Sequence, residues 1–328
     1  MQAIERRSAL SYGEFEREYL KPRRPVIITD ALDACAARTC WTPEYFRERF
    51  GDRVVQTDSG EMSVATLIER VLDSSAAPPF LRERPIPWLL PELLEDLAPF
   101  PIYGQPNWLE YPFAPWPLLP SGFAGWPTRL AQTDINLTGA NVRFPLLHLD
   151  RFHCHALILQ WCGRKEFFAF APEETDKLYP DESGDVSAIS DPEHPDLERF
   201  PRFAEAKMLR FTLMPGEVLF NPTGWWHTTR THDVSIATVV SFGNASNWSQ
   251  MIGQMWPRSW KGRLAFAPYA AYLRLLGWLR LPGYAFADPA RIETAQAAER
   301  HYRRCIQAVG AGRSGAQWAS TKSVPKTT

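Results

Sequence analysis

Two histidines and one aspartate stand out for the chemistry they could share. His148 and Asp150 sit two positions apart in the run Phe144-Pro145-Leu146-Leu147-His148-Leu149-Asp150. Residues two apart on a strand point to one face, so the pair is placed to hold one ion. A third donor, His227, closes the later run Gly216-Glu217-Val218-Leu219-Phe220-Asn221-Pro222-Thr223-Gly224-Trp225-Trp226-His227. Two imidazoles and one carboxylate on one face of a metal leave the opposite face open, which suits a non-haem Fe(II) that meets dioxygen. A closed structural site takes four protein ligands. His148, Asp150 and His227 are therefore the candidate metal ligands and catalytic centre.

The elements that must position them read as mainly β with flanking helices. Ser11 is placed to cap a short helix through Phe15 and Tyr19, and Thr42-Pro43 to start one that ends at Gly51. Ser63 precedes Leu67, Ile68 and Val71 at helical spacing, and strands are expected at residues 25–29 and 54–57. Prolines crowd residues 76–128, together with Tyr103, Trp108, Tyr111, Phe113 and Trp116. That stretch reads either as a connector whose aromatics pack or as a wall over a substrate. Strands are then expected over residues 134–138, 155–170, 209–213, 218–220 and 234–242, separated by turn residues, as in a small barrel or sandwich. The acidic, proline-rich stretch 172–201 reads as a surface insertion. Helical period returns over 248–260, 264–281 and 295–309, ahead of a Gly/Ser/Thr/Lys tail.

Composition narrows the classes. The net charge of −1 gives no excess of cations to neutralise a nucleic-acid backbone. Five cysteines without a paired motif suit reduced thiols. The N-terminus lacks the apolar core of a signal peptide, and the expected compartment is the cytoplasm. Residues 269–278 are apolar for a surface helix, yet the run is too short, and too interrupted by Arg274, Arg280 and Pro282, for a membrane span. A helix for homodimerisation is the preferred reading, and a helix lying on a membrane surface is the alternative.

Lys165 opens the run Lys165-Glu166-Phe167-Phe168-Ala169-Phe170. A lysine buried there needs an anionic partner; one at the strand end reaches solvent instead.

His148-x-Asp150, Gly163-Arg164-Lys165 and the Pro-Gly to Trp-Trp-His run ending at His227 together resemble the JmjC/cupin-8 family of 2-oxoglutarate-dependent oxygenases, asparaginyl-hydroxylase-like members in particular, over roughly residues 10 to 245. The resemblance implies a double-stranded β-helix (a jelly-roll or cupin barrel) at 131–246. An N-terminal α/β and proline-rich segment (1–130) would flank it, followed by a C-terminal helical region (247–311) and a disordered tail (312–328). It implies Fe(II) on the three ligands, and 2-oxoglutarate chelating the metal with its far carboxylate on Lys165. Dioxygen would be consumed in oxidising a small molecule, peptide or protein. The family commonly carries an Asn after the Asp, and His155 is the nearest polar counterpart. For the Thr or Ser that the family places before the first His, Thr138 or a tyrosine of the proline-rich segment is the substitute. Ser241 aligns with an Asn of the last strand. Hydroxylation of an amino-acid side chain is the leading activity. N-methyl demethylation, another cupin chemistry and a metal-free scaffold are the alternatives. His153 reads as structural, and His232 as exposed.

Overall fold

Capping residues and apolar spacing shape the first elements. The computed structural model describes residues 4–73, 75–108 and 133–279. Strand β1 (Arg6–Arg7) leads to α1 (Tyr12–Phe15), where Ser11 Oγ accepts from Glu14 N and the Glu14 carboxylate accepts from Ser11 N. This reciprocal cap satisfies helix-end donors that would otherwise lack partners. A π-helical turn over Glu16–Leu20 follows, then the buried strand β2 (Val26–Ile28). Next come α2 (Ala37–Cys40), α3 (Pro43–Phe50), the ribbon β3 (Val54–Thr57) and β4 (Gly60–Ser63), and α4 (Val64–Leu72). Thr42 and Ser63 cap α3 and α4 as expected. Out of the proline-rich stretch come the edge strand β5 (Phe80–Pro85), α5 (Ile86–Leu89) and a 3-10 turn over Pro91–Leu94.

The remaining strands are β6 (Thr133–Thr138), β7 (His155–Cys162), β8 (Lys165–Phe170), β9 (Met208–Leu213), β10 (Val218–Asn221), β11 (Trp226–Thr231) and β12 (Ser235–Phe242). They form a large sheet ordered β1-β2-β10-β7-β12-β6-β5 and a small one ordered β11-β8-β9. Arg143 and His148 bridge onto Arg230 and His227, extending the small sheet beyond β11. This is the expected jelly-roll barrel. The run 155–170, expected as one strand, divides at Gly163, and its halves join different sheets. Gly163 has φ +69°, and a Cβ there would lie 2.1 Å from Val234 O, so only glycine passes the chain between sheets at this point.

Strand alternation sorts the barrel residues by face. Ala156 and Ile158 of β7, Leu219 of β10 and Val239 of β12 meet Phe167 and Ala169 of β8, Phe211 and Leu213 of β9 inside the barrel. Leu157, Leu159, Phe220, Val240 and Phe242 point the other way, into a core with Phe15, Tyr19, Phe46, Leu67 and Ile68 of the N-terminal flank. Phe15 and Phe220 meet edge-on at 4.9 Å between ring centroids.

The stretch 172–201, read as a surface insertion, is anchored together with the turn that follows it on two sides. Leu178, Ile189, Phe200 and Phe203 pack with Phe170 and Trp226. On the outside of the small sheet, Glu193 accepts from Arg143 and lies 2.8 Å from Arg230, while Glu166 accepts from Arg210 and Arg230.

After the barrel, α6 (Trp248–Gln254) and α7 (Trp260–Trp278) form a separate cluster with Trp108, Phe152 and Cys154. Among the described residues, no helix is long and apolar enough to cross a membrane. The expected helix 295–309, the tail, and Tyr111, Phe113 and Trp116 lie outside the described residues.

Candidate metal centre

His148 and His227 face each other because their backbones do. His148 N donates to His227 O at 3.0 Å, and His227 N donates to His148 O at 2.9 Å. On its other side the 147–149 segment is tied down by Ser187 N donating to Leu147 O and Leu149 N donating to Asp185 O, each at 2.8 Å. The two rings lie 4.4 Å apart between centroids, and Phe144 stacks on His148 at 4.8 Å. His148 thus sits on a single bridging rung between β11 and Val186, and Asp150 lies just past it. The pair is not on one face of a regular strand. A turn follows, with Phe152 (φ 58°) and His153 (φ 52°) both in the left-handed region.

The donor atoms of His148, Asp150 and His227 all lie within 4.8 Å of one another. His227 Nε2 and Asp150 Oδ1 are 3.9 Å apart. His227 Nδ1 lies 3.3 Å from both Trp225 O and Asn221 Nδ2, and binding a metal through Nε2 requires the tautomer in which Nδ1 donates to Trp225 O. In the same way His148 Nδ1 lies 3.3 Å from Leu146 O. Asn221 Nδ2 donates to Asp150 Oδ2 at 2.9 Å, so Oδ1 is the oxygen turned to His227. The donors are nitrogen and oxygen and lie close enough to share one ion; the set fits a divalent ion such as Fe(II).

Asn221 escaped the sequence reading, because an Asn-Pro pair ending an apolar run looks like turn chemistry. It is instead the inward-facing residue at the end of β10, level with Ala156 and Ser241. Replacing Asn221 by alanine is expected to weaken Fe(II) affinity about 10- to 100-fold, with turnover restored by excess iron. Iron titration monitored by oxo-acid consumption checks this. Unchanged affinity would mean that Asn221 is a packing residue.

Lys165 lies inside the barrel. It pairs with Thr231 and Leu213 across the small sheet and shares its face with Phe167 and Ala169, while Glu166 points outward to its arginines. Its ammonium is buried and has no hydrogen-bond or ion-pair partner among the described residues. Burial pushes its pKa down to about 8. His227 belongs to the row His227–Ala169–Leu209, and Lys165 to the row Thr231–Lys165–Leu213, at the other end of the same face.

The other expected co-substrate residues divide. Ser241 is inward, on the same row as Ala156 and Asn221, and its carbonyl accepts from Asn107. Thr138 is buried on β6, where its hydroxyl donates to Pro79 O at 3.1 Å. With that proton committed, it has none to give a carboxylate. His155 lies on the far side of the large sheet, its ring 5.6 Å from Phe220 and 5.1 Å from Phe242. Its Nδ1 accepts from Thr223 N, and its Nε2 lies 2.7 Å from Ser246 Oγ, which donates to Asn244 Oδ1. Both ring nitrogens are taken, so His155 offers nothing to the barrel interior. Asp134 is a further titratable group. It shares the inward face of β6 with Asn136, and burial beside Glu83 raises its carboxyl pKa to about 7.

His155 has a consequence for stability. Burial, with a smaller push from Arg23, lowers its pKa to about 3. Unfolded, it titrates near 6.5, so below that pH the unfolded chain gains a proton that the folded chain refuses. Stability is expected to fall by up to about 1.4 kcal/mol per pH unit from roughly pH 6.5 toward 3. Urea unfolding at pH 7 and pH 5 should show His155→Gln losing less than the wild type, by about 2 kcal/mol. Equal losses would contradict the assignment.

Comparison with known proteins adds the following. Residues 127–246 match the model of the cupin-like domain. The chain is 29% identical over 257 residues to lysine-specific demethylase 8 of Xenopus tropicalis, covering 73% of this chain and 52% of that protein. It is 37% identical over 123 residues to HSPB1-associated protein 1 of Rattus norvegicus, covering 36% of this chain and 25% of that one. Lysine-specific demethylase JMJ21 of Arabidopsis thaliana is 26% identical over 267 residues, covering 77% and 27%. The chain therefore spans about half the length of the first of these relatives, and about a quarter of the other two.

Proposed function

From a cupin-like domain of the JmjC family at residues 127–246, we propose that this protein is an Fe(II)- and 2-oxoglutarate-dependent oxygenase that hydroxylates an amino-acid side chain. The observation that carries the reading is the pairing of two features on one inner face. A three-donor set stands at one end, and at the other a buried lysine with no partner among the described residues. Bound by His148, Asp150 and His227, Fe(II) would supply the Lewis acidity and redox chemistry that dioxygen needs.

The chain's own residues hold and orient. Leu146 O and Trp225 O set the tautomers of the two histidines, and Asn221 fixes the carboxylate. Lys165 meets the far carboxylate of the oxo acid by a charge-assisted hydrogen bond. Ile158, Leu219, Phe167 and Phe211 keep water from the space between. Overall, substrate C–H, dioxygen and 2-oxoglutarate become C–OH, succinate and carbon dioxide.

A second reading, removal of an N-methyl group by oxidation of its carbon, draws on the printed names of two of the relatives. The products separate the two: formaldehyde with loss of a methyl group, or retention of one oxygen atom. Anaerobic titration of Fe(II)-loaded protein with 2-oxoglutarate tests what they share. A weak visible charge-transfer band that His148→Ala loses supports the proposal. No band with iron bound points to another cupin chemistry, and no iron bound overturns the metal site.

A further inference from the structure

Helix α7 buries one side and leaves an ordered apolar ridge on the other. Phe266, Tyr269, Ala270 and Leu273 pack inward with α6. Facing out are Trp260 (67% exposed), Leu264 (67%), Leu275 (51%) and Trp278 (78%). At about 100° per residue, Trp260 and Trp278 coincide on the helical wheel, and Leu264, Ala271 and Leu275 fall within roughly 60° of them. The ridge is thus continuous along the helix, about 28 Å long, with a tryptophan at each end. Among the described residues nothing covers it.

Its flanks are cationic. On the same wheel Arg263 and Arg274 lie along one edge of the ridge, and Lys261 along the other. Arg258 precedes the helix. No acidic residue occurs anywhere between Asp233 and Asp288. Arg274 extends over the Trp256 ring at 6.0 Å, and Lys261 over Trp260 at 5.7 Å.

We propose that the outer face of α7 docks on an anionic phospholipid bilayer, lying in the plane of the interface. An apolar ridge enters the headgroup–acyl boundary while flanking cations remain among the phosphates. Indole rings at both ends suit the same depth, because they join a large apolar body to one polar N–H. Charge decides between this occupant and a second copy of the chain. An antiparallel pairing of two α7 ridges would set Arg263 against Arg274 across the two-fold axis, and neither helix has a carboxylate to relieve the repulsion. An anionic surface turns the same residues into attractive contacts.

The test is flotation of the full chain with phosphatidylcholine vesicles, with and without a minor fraction of phosphatidylglycerol, at low and high salt. Binding is expected only with the anionic lipid and is lost at high salt. The double variants Arg263→Glu/Arg274→Glu and Leu275→Ser/Trp278→Ser should each weaken it about tenfold or more. Both alter exposed positions, and an unchanged circular dichroism spectrum shows that they fold. No flotation of the wild type, or flotation indifferent to both variants, overturns the proposal. So does a two-chain mass by light scattering that Leu275→Ser/Trp278→Ser reduces to one chain without any vesicle binding, because a second copy then owns the ridge.

Discussion

His227→Ala is expected to abolish Fe(II) retention and oxo-acid turnover while leaving the fold intact. The loss of metal follows from geometry. With His227 removed, His148 and Asp150 remain as an open pair, and the reduction should exceed the roughly 100-fold that altering a residue supporting a ligand can reach. The fold survives because the two hydrogen bonds joining His227 to His148 are between backbone atoms, and alanine makes the same two. Iron content after desalting, succinate formation and a melting curve together check this. His148→Ala should behave alike; turnover retained in both variants would sink the three-donor site.

Lys165→Met is expected to move stability and co-substrate binding in opposite directions. Held at about 8 by burial, the Lys165 pKa lies well below its ordinary value of 10.5. Below pH 8 the ammonium is charged in both folded and unfolded chains, and the folded chain carries the whole burial penalty, about 3 kcal/mol. Between pH 8 and 10.5 the folded chain releases the proton first, so the penalty fades and stability rises with pH. Methionine removes the penalty at every pH, and the metal-free protein should melt higher than the wild type at pH 7. The oxo acid, however, would lose the cation proposed for it. Removing one partner of a buried charge pair costs about 2 kcal/mol or more, which raises the KM for 2-oxoglutarate about 30-fold or more. In the wild type, affinity for the oxo acid should fall about tenfold per pH unit above pH 8, as the ammonium deprotonates. A KM that does not move would assign the far carboxylate to another cation.

The His148–Asp150–His227 donor set was legible because its residue types and order carry chemistry that little else in the chain imitates. Helix starts at Ser11, Thr42 and Ser63 were legible because capping is local, one hydroxyl meeting one N–H a few residues on. Which face a residue takes was harder to read. Counting in twos from Asp150 fails across the left-handed pair Phe152–His153, and a register shift where Ile236 and Ala237 meet β7 disturbs the count again. His155, a candidate by linear position, consequently ends behind the sheet. Gly163 posed a similar problem, since its crossing between sheets is required by Val234, distant in sequence. The arginine–glutamate network joining Arg143, Glu166, Glu193, Arg210 and Arg230 is non-local throughout, and no window of sequence contains it.

The paired hydrogen bonds between His148 and His227 also bear on how the proposed site would take up a metal. Main-chain atoms fix the spacing of these two histidines, so the ordering entropy would be spent before an ion binds there. Asp150 is poised differently. It stands beyond that rung, held through Asn221 and through a turn whose His153 carbonyl accepts from Asn247 beside α6. The template is therefore two-thirds rigid, with its carboxylate as the adjustable jaw. Chelation and reloading should be reversible without unfolding, and the slow, closing step of metal capture should be felt at Asp150 and the 151–153 turn.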